Sequence, residues 1–333
     1  MLFLTPWLAR GKETGKNKRC SEDMKEVIPP VDKELLQEEL TKDKFVRDTN
    51  YGSNKIYNIT YHDSPNVMRE IGRLREVTFR YAGGGTGKEI DIDAYDMDDK
   101  PYQQLVVWDP EENEILGGYR YFFLRDAPKD NTGKIKLATS RLFSFSDRFI
   151  NEFLPHTIEL GRSFVQPKYQ ATDASRTGIF ALDNLWDGLG ALITNFPETK
   201  YFFGKVTMYP RYNRNARNLL LYFLDKYFAD KENLLKPHSP LKYIINKEEF
   251  EQIFSGASYQ EDYRILSQKV REYGENIPPL INSYMSLSPT MMVFGTAINE
   301  NFGDVEETAI MIRIDDIYEI KKARHILTNE PEE

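Results

Sequence analysis

Segments with the pattern of strands alternate with segments with the pattern of helices along most of the chain, and this order constrains the fold more than any other feature. NKIYNITYH (54–62) alternates apolar and polar residues, which is typical of a half-buried strand. In the next segment (64–82), apolar residues recur at helical spacing, with Ser64 as a candidate N-cap and Pro65 at the first helical position. These segments predict a strand followed by an amphipathic helix.

The alternation continues towards the C-terminus. We predict an amphipathic helix before this strand and, after the helix at 64–82, five more strands and two long helices. The predicted positions are 31–46 for the first helix, 103–109, 114–124, 156–167, 201–210 and 307–318 for the strands, and 175–196 and 215–228 for the long helices. This order predicts an α/β or α+β fold in which a mixed sheet carries helices on both faces.

The length of 333 residues fits one large domain with extensions. Residues 10 to 23 are polar and basic, and sequence typical of ordered structure starts near the second methionine, Met24. A disordered arm and a wrongly assigned start therefore both stay open. The predicted units are an N-terminal arm (1–30) that starts at Met1 or Met24, a helical extension (31–53), and a single domain (54–333) with a helical insertion around 230–275.

Composition argues against several classes of function. The formal net charge of −8 argues against broad nucleic-acid binding, which needs a basic surface. The single cysteine, Cys20, excludes an internal disulfide and a cysteine-based zinc site, and the four histidines lack metal-binding spacing, so we predict no metal site. The opening MLFLTPWLAR is too short to span a membrane and does not have the pattern of a signal peptide. We expect a cytoplasmic protein, with peripheral contact to the inner membrane left open.

A glycine-rich segment, YAGGGTGKEIDIDAYD (81–96), raises the question of a phosphate-binding loop. Ala82 stands where a P-loop requires its first glycine, and Glu89 stands where it requires a magnesium-binding hydroxyl. The preceding residues have the pattern of a helix rather than of a short apolar strand. We therefore interpret the segment as a flexible connection and not as a nucleotide site.

The predicted strand TIELGRSFV (157–165) holds two charged residues in an apolar setting. Burying Glu159 and Arg162 is costly unless they are paired or used. In a regular strand they would face opposite sides of the sheet, because they lie three positions apart. A bulge at or beside Gly161 would bring them to one side. A purely structural Glu–Arg pair is the alternative.

Further polar and aromatic residues occur where other predicted elements meet the same sheet. Each of them alone is more often structural than functional, but together with Glu159 and Arg162 they form three carboxylates and three arginines at one sheet. The additional members are Arg75 and Phe79, one turn apart on the predicted helix, Asp93 and Asp96 after the glycine segment, and Arg120 in an apolar strand.

One stretch is strongly basic although the chain as a whole is acidic. From Thr199 to Arg217 there is a local charge of +5 with no Asp or Glu. Two interpretations stay open, a docking surface for an acidic partner and a solvated face without a partner. The basic residues are Lys200, Lys205, Arg211, Arg214 and Arg217.

Two motifs resemble a known family. ELGRSFVQPKY (159–169) and IPPLINSYMSLSPTMMVFGTAINENFGD (277–304) are similar to signature segments of the acyl-carrier-protein-dependent N-acyltransferases of the GNAT superfamily. The similarity is to the ornithine-lipid and glycine-lipid branch, often labelled haemolysin-like, and it covers about residues 30 to 320. The charged set is also similar to that of the acyl-homoserine-lactone synthases, a sister family.

The resemblance implies a GNAT-like sheet, mostly antiparallel, with splayed strands and helices on both faces. It implies transfer of a long acyl group, with or without a hydroxyl group, to the amine of a small amino acid such as glycine or ornithine, as the first step of aminolipid synthesis. The segment QPKYQATDASRTGIF (166–180) lacks the glycine-rich pyrophosphate loop of acetyl-CoA-using relatives. The implied donor is therefore acyl-phosphopantetheine on acyl carrier protein, in preference to acyl-CoA, with no permanently bound cofactor.

The resemblance also implies roles for individual residues. Glu159 is the candidate general base, and Arg162, Ser163 and Phe164 complete the catalytic strand, with an amide between Ser163 and Val165 facing the thioester oxygen. The glycine segment would be a mobile lid. The remaining implied roles are acceptor positioning by Arg75, Phe79, Asp93, Asp96 and Arg120, phosphopantetheine binding by Lys168, Ser175, Arg176 and Thr177, carrier-protein docking by Lys205, Arg211, Arg214 and Arg217, and an acyl slot lined by Phe122, Phe123, Phe143, Phe164 and Trp186.

Two alternatives stay open at this stage. One is an enzyme of the same chemistry with another acceptor, including an acyl-homoserine-lactone-type synthase. The other is a non-catalytic acyl-binding or haemolysin-like protein. The sequence leaves the acceptor amine, the acyl chain and the oligomeric state undetermined.

Overall fold

The computed structural model describes residues 24–170, 176–243 and 246–326, without the side chains of 176–179, 181 and 182. The helices of this part are α1 (Lys33–Glu39), α2 (Pro65–Ala82), α3 (Ala94–Met97), α4 (Arg176–Asn195), α5 (Arg214–Phe228), α6 (Lys247–Ile253), α7 (Tyr259–Glu272), α8 (Pro279–Met285) and α9 (Glu319–His325). The strands are β1 (Phe45–Asp48), β2 (Lys55–Ile59), β3 (Gln103–Asp109), β4 (Glu114–Phe123), β5 (Phe143–Phe145), β6 (Thr157–Val165), β7 (Tyr201–Met208), β8 (Leu235–Pro237), β9 (Met292–Asn299) and β10 (Val305–Arg313).

Eight of these strands form one sheet in the order β1-β2-β3-β4-β6-β7-β10-β9, and β5 pairs separately with β8. Within the large sheet every neighbouring pair is antiparallel except β6–β7, which is parallel. The chain between these two strands contains α4, as a parallel connection requires a crossover. The predicted mixed, mostly antiparallel sheet with helices is confirmed.

The boundaries of α2 follow from local chemistry. Pro65 occupies the start of the helix, and Gly83 ends it with φ of 101°, a left-handed conformation that glycine adopts without strain. The Ser64 side chain makes no capping hydrogen bond, contrary to our expectation. The Glu39 carboxylate instead accepts hydrogen bonds from the backbone N–H groups of Asn66 and Val67, at 3.0 and 2.9 Å, so α1 supplies the cap.

The two faces of the sheet carry different helices because successive strand residues point to opposite sides. On β3, Val106 belongs to the apolar cluster under α2, whereas Leu105 belongs to the cluster with α4 and α5. A third cluster lies on the α2 side of the sheet and includes Phe122, Phe143 and Phe203. The α2 face therefore has two apolar regions.

Two predicted units differ from the structure. The extension at 31–53 is not only helical, because β1 pairs with β2 and completes one edge of the sheet. The insertion around 230–275 begins with β8, which pairs with β5, before α6 and α7. These strands have only three or four residues, too few for a period-two pattern to be recognised.

Within the described ranges, no helix combines the length and the hydropathy needed to cross a bilayer.

Candidate active site

Strand β6 carries a bulge at its charged segment. Its pairing with β4 shifts register between the pairs Gly118↔Phe164 and Arg120↔Gly161, so two residues of β6 stand opposite one residue of β4. Arg162 takes the left-handed conformation there, with φ of 52°. The bulge beside Gly161 that the sequence predicts is confirmed.

Strands β6 and β7 separate next to this bulge. Their parallel pairing runs from Thr157↔Tyr201 to Leu160↔Gly204 and then stops, while β7 continues to Met208 along β10. A Cβ on Gly204 would lie 2.7 Å from Leu160 O, so glycine allows the close approach at the last pair. Beyond this pair the two strands are no longer hydrogen-bonded to each other, and we call the space between them the β6–β7 opening.

One backbone amide of β6 faces this opening. Gln166 N–H donates to Leu116 O of β4, at 3.0 Å. N–H groups of successive strand residues point to opposite edges, so Val165 N–H points towards the side from which β7 has separated. This amide lies in the 163–165 region that the resemblance assigns to the oxyanion donor.

Three arginines and three aspartates form a buried network on the α2 face. Arg120 binds Asp93 with both terminal nitrogens, at 2.8 and 3.0 Å, and Asp96 Oδ1 at 3.0 Å. Arg75 Nη1 lies 3.5 Å from Asp96 Oδ2. The structure therefore brings four of the predicted positioning residues together. Phe79 packs instead in the α2 cluster.

Arg162 joins the network from the bulge. Its Nε lies 2.8 Å from Asp91 Oδ2 and its Nη2 lies 3.8 Å from Asp93 Oδ2. The guanidinium also lies over the ring of Phe302, 4.5 Å from its centre, which is a cation–π geometry. Asp91 and Asp93, in the second half of the glycine segment, thus hold the arginine at the bulge in place.

Burial and the nearby arginines shift the pKa values of Asp91 and Asp93 in opposite directions. Burial alone would raise the pKa of Asp93, but Arg120, Arg162 and Arg75 together hold it well below its usual range. At Asp91 burial prevails over the same arginines and raises the pKa. The network therefore contains one carboxylate held firmly in its charged form and one whose charge is less favoured.

These directions predict opposite pH effects on stability. A depressed folded-state pKa means that the unfolded chain binds more protons, so the contribution of Asp93 is present above about pH 4 and is lost as the pH falls. We expect Asp93→Asn to make the acid-side fall of the unfolding free energy shallower. Asp91→Asn should make it steeper, because a raised pKa contributes stability at low pH that is lost as the pH rises. Urea unfolding between pH 3 and 7 measures both slopes, and equal slopes in the two variants would contradict the assignment.

Glu159 lies at the apex of the opening, which is the place where the pairing of β6 with β7 ends, and it has its own set of hydrogen-bond partners. Its Oε1 accepts from the backbone N–H of Thr139, at 3.0 Å, and from the Thr139 hydroxyl. Its Oε2 accepts from the hydroxyl of Tyr102, which in turn accepts from Ala138 N–H at 3.1 Å. A carboxylate has about four lone-pair positions. The described residues fill three, which leaves one acceptor position on Oε2.

The Glu159 shell and the arginine network are in contact. The Arg120 guanidinium lies over the ring of Tyr102, 4.8 Å from its centre. Burial, followed by the charge of Glu159, raises the pKa of Tyr102 well above its usual value, so Tyr102 stays a hydrogen-bond donor at neutral pH. Glu159 and Arg162 therefore belong to one connected polar site on one face of the sheet, as the sequence predicts.

The basic stretch does not form a single surface, which corrects the predicted docking set. The Lys205 side chain is 15% exposed, and its Nζ lies 3.5 Å from Glu307 Oε2 and 3.4 Å from Thr139 Oγ1. It points inward because it lies on β7, on the same face as Phe203. Arg217 is largely buried and paired with Glu306. Arg211 and Arg214 are exposed and keep the predicted role as a proposal.

The predicted phosphopantetheine residues are only partly described. Ser175 lies outside the described residues, and so do the side chains of Arg176 and Thr177, although both backbones lie in the first turn of α4. Lys168 is exposed and its Nζ lies 2.9 Å from Glu114 Oε2. Its charge is therefore already compensated by a carboxylate.

The five aromatic residues predicted for an acyl slot do not share one region. Phe122 and Phe143 belong to the third apolar cluster, and Phe164 belongs to the α2 cluster. Phe123 and Trp186 pack on the opposite face of the sheet, with α4. Adjacent strand residues such as Phe122 and Phe123 point to opposite faces of the sheet, so they do not together line a slot on the α2 face. The slot prediction is therefore wrong for Phe123 and Trp186.

A cavity of about 330 Å³ opens at the start of β3 and the end of β4. Lys100, Gln103, Tyr121 and Phe122 are among its lining residues. Glu159, Arg162 and Lys205 do not line it. Because it lacks the polar groups of the β6–β7 opening, we place the chemistry at the opening and not in this cavity.

The glycine segment is fastened to α2 by an internal carboxylate. Glu76, fully buried, accepts hydrogen bonds from the backbone N–H groups of Thr86 and Gly87, at 3.0 and 2.8 Å, and from the Thr86 hydroxyl. A Cβ on Gly84 would lie 3.0 Å from the Tyr209 ring, so the segment packs closely against the end of β7. In this structure it is a hydrogen-bonded wall, and the predicted lid motion stays a prediction.

Several residues of the site were missed by sequence reasoning. Asp91 had a signal, because it alternates with Asp93 in the segment DIDAYD. Gln104, which accepts from Arg75 and donates to Asp96 Oδ1 at 3.0 Å, sits in an otherwise apolar run. Tyr102 and Thr139 had no local signal, since their role depends on contacts with Glu159 from 57 and 20 residues away.

A family model and two known proteins match this chain over long segments. The sequence model of the family described as "Acetyltransferase (GNAT) domain" matches residues 74–177, which contain the whole arginine–aspartate network and Glu159. A glycine N(alpha)-acyltransferase from Phocaeicola vulgatus is 58% identical over 303 residues, 91% of this chain and 93% of the relative. One from Bacteroides thetaiotaomicron is 59% identical over 305 residues, 92% of this chain and 90% of the relative.

Two solved structures are similar at a lower level. Both are of the CoA-dependent acyl-homoserine lactone synthase BjaI, one with SAM and isopentyl-CoA and one with MTA. Each is 13% identical with a TM-score of 0.34, covers 81% of this chain, and is covered to 88% and 89%, respectively. This similarity is too low to support an argument about fold or ligands.

The two acyltransferase relatives, in contrast, match more than 90% of the chain at nearly 60% identity. The chain therefore belongs to their family of N-acyltransferases with a GNAT domain, and it is an acyltransferase.

Proposed function

We propose that this enzyme transfers a long fatty acyl group from acyl carrier protein to the α-amine of glycine, as the first step of aminolipid synthesis. The observation that carries the proposal is the opening between β6 and β7 with Glu159 at its apex, in a chain 58% identical to a glycine N(alpha)-acyltransferase. Ornithine is the alternative acceptor. Glycine is favoured because both relatives are glycine N(alpha)-acyltransferases.

The proposed reaction is aminolysis of a thioester. The amine nitrogen attacks the thioester carbon, the C–N bond forms, and the C–S bond breaks to release the phosphopantetheine thiol. The α-ammonium must lose a proton before it attacks, and the tetrahedral intermediate loses a second when it becomes an amide. Glu159 Oε2 has an acceptor position left for the first proton, directly or through a water, and the second goes to the leaving sulfur.

The backbone of β6 supports the same reaction. Val165 N–H, released from the ladder on its β7 side, would donate to the developing oxyanion. One such donor contributes about 3 kcal/mol to the stability of the transition state. The pair Arg162–Asp91 fixes the bulge, so the donor is oriented before the substrate binds.

Two observations favour a carrier-protein donor. The segment between β6 and α4 lacks a glycine-rich pyrophosphate loop. The exposed Arg211 lies just beyond β7, with Nη1 3.4 Å from Tyr81 O at the end of α2, and Arg214 follows at the start of α5. Both are therefore beside the opening, where an acidic carrier protein would deliver its acyl group.

Reversing these two charges tests the docking surface. We expect the double variant Arg211→Glu/Arg214→Glu to raise the KM for acyl carrier protein about tenfold or more at low salt, because encounter would then be opposed electrostatically. The KM for a short acyl-pantetheine donor should change much less. Lys200→Glu, immediately before β7 and at the opposite end of that strand from Arg211, is the matched control. A donor KM equal to that of the unmodified enzyme, at 20 mM salt, would contradict the surface.

Mass spectrometry tests the function itself. Purified enzyme is incubated with acyl carrier protein carrying a C16 or 3-hydroxy-C16 acyl group and with glycine, ornithine or S-adenosylmethionine, whose sulfonium group can leave when a lactone closes. The expected product is N-acylglycine, formed faster than any other adduct. Formation of an acyl-homoserine lactone in preference would support the synthase alternative, and absence of product with every amine would overturn the proposed function.

A further inference from the structure

A buried lysine–glutamate pair lies at the apex of the β6–β7 opening and has no place in the reaction described so far. Gly204 is the last residue of β7 that pairs with β6, and Lys205 is the next. Glu307 lies on the adjacent strand β10, 3% exposed. The distance from Lys205 Nζ to Glu307 Oε2 is 3.5 Å.

The Glu307 carboxylate lacks a hydrogen-bond donor at one oxygen. Among the described residues none donates to its Oε2, and Lys205 Nζ lies beyond the distance of a good charged hydrogen bond. A buried carboxylate oxygen without a donor is costly, and a native structure usually supplies one from protein, water or ligand. This oxygen therefore marks a place for a ligand donor.

The pair is connected to the proposed base through the hydroxyl of Thr139. Lys205 Nζ lies 3.4 Å from Thr139 Oγ1, and the same hydroxyl donates to Glu159 Oε1. A cation and two carboxylates thus lie around one point at the apex, on the face that carries the arginine network. The six network charges form ion pairs with one another. In the group at the apex, one acceptor position stays open on Glu159 and one on Glu307.

These features complement an α-amino acid, which carries a carboxylate and an ammonium one carbon apart. We propose that Lys205 and Glu307 form the acceptor site of the enzyme, an inference that rests on the proposed function. Lys205 binds the carboxylate of the amino acid. Glu307 Oε2 accepts a hydrogen bond from its ammonium, and Glu159 takes the proton that the ammonium must lose before attack.

The surroundings favour a small acceptor. Glu307 is 3% exposed and Thr139 is 1% exposed, so the groups that would contact the amino acid leave little room beside its α-carbon. An amino acid without a side chain fits this description. The inference also gives the inward orientation of Lys205 a role other than carrier docking.

The kinetic preference for glycine over glycinamide tests the inference. Glycinamide keeps the amine and lacks the carboxylate, so its transfer does not use the proposed contact with Lys205. In Lys205→Met we expect the KM for glycine to rise about 10–100-fold and the preference for glycine over glycinamide to fall by a similar factor. The KM for the acyl donor should stay as it is. Lys205→Arg should restore part of the preference, and the exposed Lys200→Met should keep all of it.

A second variant separates recognition from folding. Lys205→Met leaves Glu307 buried without a counter-charge, so Lys205→Met/Glu307→Gln is measured beside it, after thermal unfolding has shown that both are folded. Glu307→Gln alone should raise the KM for both amines, because it removes the contact to the ammonium that they share.

Two results would overturn the inference. One is an equal loss with glycine and glycinamide in Lys205→Met, which indicates a structural ion pair. The other is a rise in the donor KM instead of the glycine KM, which places Lys205 against the donor. Both results can be obtained only if the unmodified enzyme acylates an amine. If it acylates none, the proposed function is wrong, and this outcome differs from a failure of the acceptor-site inference alone.

Discussion

Glu159→Gln is expected to lower kcat by about 10²–10⁴-fold, the usual contribution of a positioned general base. The amide can still accept hydrogen bonds from Thr139, so the site keeps its shape, but it can no longer take the proton from the acceptor amine. The donor KM should change little, because Glu159 is not proposed to contact the donor. Product formation by mass spectrometry, with saturating donor and glycine, measures the effect.

The matched control is another buried glutamate. Glu70 is 6% exposed, and its carboxylate accepts from Val31 N–H at 3.0 Å and from Arg73, away from the opening. Glu70→Gln should therefore keep kcat within about threefold, as expected for a residue that touches no reacting atom. If a folded Glu159→Gln enzyme were as active as this control, Glu159 would not be the general base.

Arg120→Met is expected to lower the unfolding free energy by about 3–5 kcal/mol. Arg120 is 2% exposed and compensates Asp93 and Asp96 at once, so its removal leaves two carboxylates with too little positive charge. In a domain of this size the change corresponds to a fall in Tm of about 4–8 °C. Urea unfolding and calorimetry at pH 7 measure the two quantities.

Arg125→Met provides the same substitution at the surface. Arg125 follows β4 and pairs with Glu198, and both side chains are more than a third exposed. Such pairs contribute about 0–1 kcal/mol, so this variant should unfold almost like the unmodified enzyme. If Arg120→Met were no less stable than Arg125→Met, the buried network would not hold the sheet and α2 together as described.

The order of elements could be predicted because it depends on local patterns. The period-two and helical periodicities indicate β2, α2 and the long helices, and Gly83 marks the end of α2. The bulge was predictable because two charges three positions apart flank Gly161. The residue in the left-handed conformation is nevertheless Arg162 and not Gly161. This conformation is strained for residues other than glycine, and the contact with Asp91 holds Arg162 in it.

The site was less predictable because its contacts are long-range. Tyr102 and Thr139 reach Glu159 from separate loops, and nothing in their own segments indicates this. Lys205 was wrongly assigned to the docking surface for a different reason. Counting charges along the sequence does not show whether neighbouring residues face the same side of a strand. Alternation along β7 turns Lys205 inward, whereas Arg211 follows the end of the strand and stays exposed.

The contact between Glu76 and the glycine segment has a consequence for ion sensitivity. The amides of Thr86 and Gly87 already have an anionic partner within the chain, so an inorganic phosphate or a nucleotide would have to displace a buried carboxylate to reach them. The Glu76 carboxylate thus occupies the amide groups that could otherwise bind an anion from solution. The wall beside the opening should consequently keep its shape in phosphate and chloride buffers alike.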